Sequence, residues 1–387
     1  MSAEEGCTVT VWRTFEMITQ LEIKNFRGFS EYKIEDVGQV NLLVGTNNCG
    51  KTSILEAVQV IKSKGELSVL FSIFERRGEK KESEDYTKEG YEADLSRLFY
   101  GFNIELTSFF SIKIFSEKLF EKLSAIVEDD SLLHPYVHEE IYKYNYQHLK
   151  IRWSDAEKKE KKIDYPISRT GGLPYDNERL PFYYRKLAYF SHDTGNNINI
   201  RFVPSASLSP KRIISMFDKI VLTSDEDIVI DALKIIEPDI VRLASFRGIS
   251  FDNDVRGGIL VKSRKWEERV PIGSFGDGIW RLLGIILSLV EAKNGTLLID
   301  EIDTGLHHTV MTKMWKLICV TARKLNVQVF ATTHSSDCWK TLADNATEDE
   351  FADMPIRIHR IDKDKNKPET FTNQEMHLAA DREIEVR

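Results

Sequence analysis

Long hydrophobic runs are absent from this sequence of 387 residues. Its most apolar stretch, residues 282–290, is too short to cross a bilayer and is typical of a buried helix. Residues 1–6 are acidic and polar, so no secretion signal is predicted. We therefore expect a cytoplasmic protein that does not contact membranes.

Cysteine is also scarce, and none of the four cysteines belongs to a Cys-x-x-Cys pair. This spacing suggests neither a zinc site nor a disulfide framework. Reduced thiols are the expectation for a cytoplasmic protein. The cysteines are Cys7, Cys49, Cys319 and Cys338.

Basic residues are outnumbered, with 53 Lys and Arg against 61 Asp and Glu and a formal net charge of -8. Nonspecific DNA affinity comes mainly from Lys and Arg on phosphates, so this balance argues against a general DNA-coating protein. Two local clusters are either basic binding patches or solvated charged faces. They are Lys211 with Arg212, and Lys262, Arg264 and Lys265 beside Trp266.

A glycine-bounded loop that ends in Gly-Lys-Thr is the most informative feature of the sequence. It follows the apolar strand predicted at residues 40–44, and a helix is predicted to begin near Thr52. Backbone N–H groups of such a loop cradle phosphate, while Lys51 reaches the β and γ phosphates and the Thr52 hydroxyl binds Mg²⁺. The predicted ATP-binding residues are Gly45, Thr46, Asn47, Asn48, Cys49, Gly50, Lys51, Thr52 and Ser53.

Two carboxylates follow a second buried strand, predicted at residues 296–299. Ligands bind beyond the carboxyl ends of strands in open α/β sheets, so this position suits a catalytic site. Asp300 is predicted to hold Mg²⁺, directly or through water. Glu301 is predicted to act as the general base on the attacking water.

Two weaker signals flank this pair. A glycine-containing loop precedes a very apolar helix, and the N-terminus of such a helix favours an anion. His334 follows the strand predicted at residues 327–331, where an imidazole can sense a phosphate. The loop residues are Ser274, Phe275, Gly276, Asp277 and Gly278.

Strands that alternate with helices predict an α/β fold with a largely parallel sheet. The length allows one large core with an insertion, or two modest domains. We expect an irregular extension at residues 1–16 and a nucleotide-binding core from residues 17–61 and 261–387. Between them, residues 62–260 are expected to form a mainly helical insertion with some core strands.

Together these residues resemble the ABC ATPases of the RecF, SMC and OLD branch. The resemblance is carried by residues 21–29, Leu-Glu-Ile-Lys-Asn-Phe-Arg-Gly-Phe, and by residues 298–308. It implies an ABC-type head in which ATP is sandwiched between Lys51 of one subunit and Ser274 of another, placed head to tail. It also implies that Arg27 binds ATP and that His334 is the switch histidine. The implied D-loop comprises Asp303, Thr304, Gly305, Leu306 and His307.

The sequence departs from that family at several positions. His307 stands where many ABC proteins have the D-loop aspartate. Cys49 stands where a serine or alanine is usual, and it is either an inert small residue or a thiol with a lowered pKa at a helix N-terminus. Full-length OLD nucleases carry a C-terminal TOPRIM domain, and we expect none in this chain, where only a short tail follows His334. Asp362 and Asp364 mimic an Asp-x-Asp metal motif but lie in a lysine-rich turn of an expected edge hairpin, so nuclease activity is not predicted.

Two functions remain open from the sequence. The chain is similar to the ATPase components of bacterial anti-phage systems of the PARIS and Septu types, which implies a sensor or scaffold that controls a separate toxin or nuclease, with a phage protein as a possible trigger. The alternative is a RecF-like ATPase that clamps or repairs DNA. A transporter subunit fits the insertion and the opening motif poorly, and a small-molecule kinase gives the signature-like loop and His334 no role.

Overall fold

The computed structural model describes residues 15–82, 91–129, 147–168, 170–174, 199–246 and 258–386. Residues 1–14 of the expected N-terminal extension, including Cys7, lie outside the described residues. The strands are β1 (Gln20–Phe26), β2 (Phe29–Ile34), β3 (Val40–Val44), β4 (Lys80–Glu82), β5 (Tyr91–Asp94), β6 (Phe109–Phe115), β7 (Phe120–Glu128), β8 (Gln147–Asp155), β9 (Glu160–Ile167), β10 (Gly172–Pro174), β11 (Ile200–Val203), β12 (Ile240–Ser245), β13 (Ile259–Ser263), β14 (Val270–Pro271), β15 (Gly295–Ile299), β16 (Val327–Thr332), β17 (Ile356–Arg360) and β18 (Glu369–Phe371). The helices are α1 (Lys51–Lys62), α2 (Leu67–Arg77), α3 (Pro210–Ile220), α4 (Ser224–Ile236), α5 (Asp277–Glu291), α6 (His308–Leu325), α7 (Ser336–Ala346) and α8 (Asn373–Asp381).

A six-stranded sheet in the order β11-β15-β16-β3-β17-β18 forms the centre of the nucleotide-binding core. Its first five strands are parallel, whereas β18 runs antiparallel to β17. Every residue of β3, β15 and β16 is buried, as expected for strands covered on both faces. Because these three strands are parallel neighbours, the segments that follow them meet at one edge of the sheet.

The central sheet divides the hydrophobic core in two. Leu42, Leu297 and Val329 face the layer of helices that includes α5, α6 and α7. The residues next to them in sequence face the opposite layer, which contains α1 and a second sheet. In α5, the residues from Ile279 to Val290 are all buried, which confirms that the very apolar stretch is a core helix. No helix in the described ranges is long and apolar enough to cross a membrane.

The second sheet is antiparallel and has the order β2-β1-β6-β7-β8-β9. Its inner face covers α1, and its β1 and β2 come from the N-terminal segment while β6 to β9 come from the expected insertion. The prediction of a mainly helical insertion was therefore wrong for the described residues. The physical reason is visible in β7, where Leu123, Ala125 and Val127 are buried and the residues between them are partly exposed. That alternation has a period of two and belongs to a strand.

Other parts of the insertion also differ from expectation. The described part of residues 76–98 comprises the end of α2, β4, β5 and a 3-10 helix at Leu95–Leu98. Residues 225–244 contain Pro238 between two apolar segments. They form α4 and then β12, since proline lacks the backbone N–H that a helix interior requires.

The tail forms the expected hairpin, with β17 paired to β18. Of these two strands, β18 lies at the edge of the sheet, because β17 also pairs with β3. The turn between them lies against β2, where the Lys33 N–H donates to the Asn366 carbonyl oxygen at 2.8 Å. The tail therefore completes the central sheet rather than forming a separate unit.

Candidate functional site

The predicted phosphate loop connects β3 to α1. Gly45 and Gly50 have φ angles of 143° and 102°, which side chains rarely adopt. A Cβ on Gly50 would collide with the Phe29 ring, and one on Gly45 would lie 2.6 Å from the Ile361 carbonyl oxygen. The loop therefore has the backbone shape of a phosphate cradle, which only glycine permits at these two positions.

Lys51 lies over this loop. Its Nζ donates to the carbonyl oxygens of Gly45 and Thr46 at 2.8 and 2.9 Å and lies 3.9 Å from Cys49 Sγ. All three partners are neutral, so none of them cancels the charge of the ammonium group. Cys49 is only 3% exposed, which agrees with the inert interpretation of this residue, since reactive thiols are accessible to solvent.

The phosphate loop and the acidic pair meet through hydroxyl groups. Thr52 Oγ1 donates to Asp300 Oδ1 at 2.9 Å, and Thr332 Oγ1 donates to the same oxygen at 2.8 Å. The Thr332 hydroxyl also accepts the Glu301 N–H at 2.8 Å. The ends of β15 and β16 and the start of α1 thus share one hydrogen-bonded network.

Glu301 occupies an unusual backbone conformation, with φ of 45°. Such a conformation is uncommon for a residue with a Cβ and is retained only where neighbours hold it. The Thr304 Oγ1 donates to Glu301 Oε2 at 3.3 Å, so the carboxylate stays beside the turn that follows β15. It is partly exposed there, and water has access to it.

The implied D-loop contacts the end of β16 and the start of α6. Thr333 Oγ1 donates to Asp303 Oδ1 at 2.6 Å, which connects the D-loop to the end of β16. His307 caps α6, since its Nδ1 accepts the Thr309 N–H at 3.4 Å. This cap gives the histidine at the usual aspartate position a local structural role.

The signature-like loop lies beside the D-loop of the same chain. Ser274, Gly276 and Asp277 are exposed, while the Phe275 ring packs against Trp266 with centroids 5.4 Å apart. Helix α5 begins at Asp277 rather than at residue 279, so two of the predicted loop residues form its first turn. A Cβ on Gly278 would lie 3.1 Å from the Leu306 side chain.

His334 is exposed just after β16. Because β16 lies between β15 and β3, this segment is placed between the acidic pair and the phosphate loop. The three segments predicted to form the site therefore converge at the carboxyl edge of the sheet. The signature loop lies on the same chain but is carried by α5, on the helical side.

Arg27 is at the wall of a cavity of about 500 Å³ beside the phosphate loop. It is 2% exposed, its Nε lies 2.5 Å from Glu56 Oε2, and its terminal nitrogens donate to both Glu79 carboxylate oxygens. Arg77 shares Glu56 from the other side and lies 3.5 Å from Ser53 Oγ. In this structure the Arg27 guanidinium therefore binds carboxylates.

Several residues of the site were not recognised from the sequence. Thr332 and Arg77 gave no local signal, because their contacts join segments distant along the chain. Lys363 lines the same cavity as Arg27, from the tail turn. Arg281 did give a signal, since an arginine inside the apolar helix α5 must have buried partners.

Arg281 has such partners at the acidic turn. Its terminal nitrogen donates to the carbonyl oxygens of Asp300 and Glu301 at 3.1 and 2.7 Å. Burial lowers the pKa of its guanidinium, although the carboxylates of Asp303, Asp300 and Glu301 oppose that shift. Burial likewise lowers the pKa of Arg76 to about 10, and its guanidinium lies 3.8 Å above the Phe202 ring.

The Asp-x-Asp mimic in the tail is a turn. Asp362 Oδ1 accepts the Asp364 N–H at 3.1 Å, and Lys365 Nζ lies 3.6 Å from Asp362 Oδ2. Within the described ranges, no group of three or more histidine, cysteine or acidic side chains could hold a metal ion. Cys49, Cys319 and Cys338 are buried and form no disulfide.

Three proteins are similar to this chain in sequence. An "ATP/GTP phosphatase" of Helicobacter pylori is 24% identical over 374 residues, which cover 87% of this chain and 90% of that protein. An uncharacterized protein of Methanocaldococcus jannaschii is 49% identical over 55 residues, covering 14% of this chain and 25% of that protein. The Rad50 DNA double-strand break repair ATPase of Archaeoglobus fulgidus is 50% identical over 44 residues, 11% of this chain and 5% of that protein.

Two solved structures of SMC heads align with most of this chain. The SMC head bound to the C-terminal winged-helix domain of ScpA covers 92% of this chain and 98% of its own, with a TM-score of 0.45 and 14% identity. The SMC head of Thermotoga maritima has the same coverage, a TM-score of 0.41 and 11% identity. A family model described as "AAA ATPase domain" matches residues 17–338. Because this match covers most of the chain, the chain belongs to the AAA ATPase domain family.

Proposed function

We propose that the chain binds ATP with Mg²⁺ and hydrolyses it slowly at a composite site formed by two copies placed head to tail. The network that joins Thr52, Asp300, Thr332 and Glu301 carries this proposal. It places a hydroxyl and a carboxylate oxygen 2.9 Å apart at the end of the phosphate loop, and hard oxygen ligands of this kind suit Mg²⁺. Bound there, the ion would neutralise charge on the β and γ phosphates.

The chain's own residues have separate roles in this reaction. Lys51 exchanges its carbonyl partners for phosphate oxygens. Glu301 accepts a proton from the attacking water, because its carboxylate is partly exposed and is held at the strand end. His334, which directly follows the end of β16, contacts the γ phosphate.

The need for a second copy follows from the signature loop. Ser274 and Gly276 are exposed, and α5 presents its N-terminus to solvent at this point. A helix N-terminus attracts an anion, and the γ phosphate held by a partner copy supplies one. The exposed D-loop residues Thr304 and Gly305 lie beside it and would enter the same interface.

We further propose that this ATPase is a sensor or scaffold that controls a separate toxin or nuclease in anti-phage defence. The support is a well-formed nucleotide site, together with the finding that the described residues contain no group of three or more histidine, cysteine or acidic side chains that could hold a nuclease metal. ATP would favour one assembly state, and hydrolysis or a phage trigger protein would release the effector. The role is tested by expressing the protein from its native operon and purifying it together with any bound products of the neighbouring genes. The absence of any copurifying protein would contradict the role.

The composite site is tested by the mass of the Glu301→Gln protein in solution, with and without ATP and Mg²⁺. We expect the mass to increase from that of a monomer to that of a dimer when ATP is added. The matched control is the Lys51→Ala, Glu301→Gln double variant, which should remain a monomer. A mass that does not respond to ATP would contradict the head-to-tail arrangement.

The outer face of the antiparallel sheet favours a second candidate function, clamping of nucleic acid. Its cross-strand neighbours form a row that runs through β1, β6, β7, β8 and β9. Adjacent strands lie about 4.8 Å apart, so the row spans roughly 19 Å. Its members are Lys24, Ser111, Ser124, Arg152 and Lys162.

The chemistry of this row suits phosphates. A groove of about 250 Å³ on this face of the sheet is lined by Lys122, Ser124, Arg152 and Lys162, together with Glu160. By contrast, the patch singled out in the sequence near Trp266 is partly neutralised, since Lys265 pairs with Glu237 and Asp239. On the sheet face Lys162 also pairs with a carboxylate, Glu160, at 3.3 Å, so Lys24, Lys122 and Arg152 are the cations proposed to bind a phosphodiester backbone.

Salt dependence of DNA binding tests the second candidate. Removal of one cation that binds a phosphate should reduce the slope of log K against log salt by about 0.9 for duplex DNA. Lys122→Glu with Arg152→Glu should therefore weaken and flatten binding, whereas Lys340→Glu, at an exposed lysine of α7, should not. Equal binding by both variants would contradict a nucleic-acid site on this face.

A further inference from the structure

Arg281 connects the signature helix to the acidic turn. It lies on α5, one helical turn after Asp277, and is 3% exposed. One terminal nitrogen donates to the Asp300 and Glu301 carbonyl oxygens, and Nε lies 3.4 Å from the Ile302 carbonyl oxygen. A single guanidinium thereby holds three consecutive carbonyl groups of the turn that bears the general base.

The other terminal nitrogen of Arg281 binds the loop after β11. It donates to the carbonyl oxygens of Pro204 and Ser205 at 3.2 and 3.1 Å and to Ser207 Oγ at 2.9 Å. Because the Asp300 N–H donates to the Val203 carbonyl oxygen, this loop also borders the acidic turn. Arg281 therefore fixes the turn from two sides.

The partners of Arg281 in these hydrogen bonds are neutral oxygens. A buried guanidinium is costly unless its donors are satisfied, and an opposing carboxylate is the usual solution. Here backbone carbonyls satisfy it instead, so the interaction fixes the path of the backbone. The positive φ of Glu301 requires such support, since the conformation is unfavourable in isolation.

The same helix carries the signature loop at its N-terminus. The loop ends one turn before Arg281, a distance of about 6 Å along the axis. The body of α5 is buried along most of its length, and closely packed interiors transmit displacement with little internal deformation. A shift of the exposed loop is therefore transmitted to the Glu301 carbonyl through the guanidinium.

We propose that Arg281 is a positioning residue that makes the placement of Glu301 depend on whether the signature loop has engaged the partner's nucleotide. This inference rests on the proposed composite site. In a head-to-tail pair, each signature loop contacts the nucleotide of the other subunit. Hydrolysis in one site then depends on occupancy of the other, and turnover is cooperative in ATP.

The test compares wild type with Arg281→Met and Arg281→Lys. We expect ATP affinity to stay within about threefold and the ATP-driven dimer to persist, because Arg281 is 3% exposed and its hydrogen bonds are to other residues of its own chain. The kcat of Arg281→Met should fall by roughly 100-fold, the loss expected for a misplacement of about 1 Å. Its Hill coefficient should fall to 1 from a wild-type value above 1, and Arg281→Lys should recover part of both.

Ser288→Ala is the matched control on the same helix. Its buried hydroxyl donates to the Gly284 carbonyl oxygen within α5, about two helical turns beyond Arg281, so kcat and the Hill coefficient should not change. If Arg281→Met does not fold, Ser207→Ala removes a single one of the Arg281 hydrogen bonds and should lower kcat by a smaller factor.

The outcomes separate the inference from the function on which it rests. Wild-type kcat and Hill coefficient in a folded Arg281→Met dimer would overturn the inference alone. A wild-type protein that neither dimerises with ATP nor hydrolyses it would overturn the composite site itself. A fall in ATP affinity equal to the fall in turnover would also contradict a positioning role.

Discussion

Thr52 Oγ1 lies 2.9 Å from Asp300 Oδ1, although 248 residues separate them in sequence. The first residue belongs to the phosphate loop helix and the second to the end of β15. In the central sheet β16 lies between β15 and β3, the strand that leads into this helix, so the hydrogen bond joins the ends of two strands that are not direct neighbours. It is the point at which the two halves of the nucleotide site join, and the predictions below depend on it.

Lys51→Ala is expected to weaken ATP binding by roughly 100-fold, because hydrogen bonds to charged groups contribute about 1.5–3 kcal/mol each. Isothermal titration with ATP measures the change. Lys62→Ala on the same helix is the control, since Lys62 pairs with Glu121 at 2.8 Å, away from the loop. Equal affinity of wild type and Lys51→Ala would contradict the phosphate-loop assignment.

Glu301→Gln should lower kcat by about 10²- to 10⁴-fold, the usual contribution of a general base, while ATP affinity is retained. Phosphate release measured under saturating ATP checks the first effect and nucleotide titration the second. Glu268→Gln changes an exposed glutamate on the β13–β14 hairpin and should have no effect. Unchanged turnover in Glu301→Gln would remove the general-base role from this residue.

Thr332→Val should cost about 1–3 kcal/mol in the free energy of unfolding, because Asp300 loses a donor and the Glu301 N–H loses its acceptor. Turnover should also fall, since the hydroxyl holds the two acidic residues together. Thr332→Ser keeps the hydroxyl and should be close to wild type in turnover. Denaturant unfolding and ATPase assays distinguish the two variants, and identical behaviour would show that the bridge is dispensable.

Ser274→Arg should prevent ATP-driven dimerisation without unfolding the protein. Ser274 is exposed, and substitutions at exposed sites usually change stability by less than about 0.5 kcal/mol. Ser30→Arg, at an exposed position of β2, is the control. Normal ATP hydrolysis by a monomeric Ser274→Arg protein would show that each copy has a complete site.

His359 should make the protein less stable in acid. It is fully buried on β17, its Nδ1 lies 3.0 Å from Thr370 Oγ1 and its Nε2 lies 3.3 Å from Asn41 Oδ1. Burial lowers the pKa of its imidazole from 6.5 to about 3. The unfolded chain therefore binds the extra proton between these pH values, and the free energy of unfolding falls as pH decreases from about 6.5 toward 3.

The loss at pH 5 attributable to this group is about 2 kcal/mol relative to pH 8. His359→Gln keeps polar atoms beside Thr370 and Asn41 but does not titrate, so its stability should fall less between pH 8 and pH 5. Unfolding by urea at the two pH values measures the difference. Parallel losses in both proteins would mean that other groups control acid stability.

Several elements could be predicted because their signals are local. β3 and β15 are short apolar runs bounded by glycine or carboxylates, and α5 is an apolar stretch of helical length. The glycines at positions 45 and 50 were predicted for the same reason, since their φ angles belong to the loop itself. The insertion was misread because half-exposed strands carry charged residues on their outer face, which can be mistaken for a helical pattern.

Arg27 shows a different limit. Its position beside the phosphate loop follows from the β1–β2 turn, but its buried partners, Glu56 and Glu79, lie on other elements. The sequence pattern did not show that these two carboxylates surround the guanidinium, and the binding of ATP by Arg27 stays a prediction. Which groups surround an arginine depends on burial and distance, which the fold sets.

The sequence by itself determined the phosphate loop, the acidic strand end and the parallel sheet, because each depends on residues within a few positions of one another. Only the tertiary structure decided that the Thr332 hydroxyl bridges Asp300 and Glu301 and that Arg281 holds the same turn from the signature helix. Those contacts arise where separate strands and a helix end at one place. An arginine in the apolar helix indicates that buried partners exist, but which groups they are depends on how separate segments meet, so no local motif encodes the hydrogen bonds themselves.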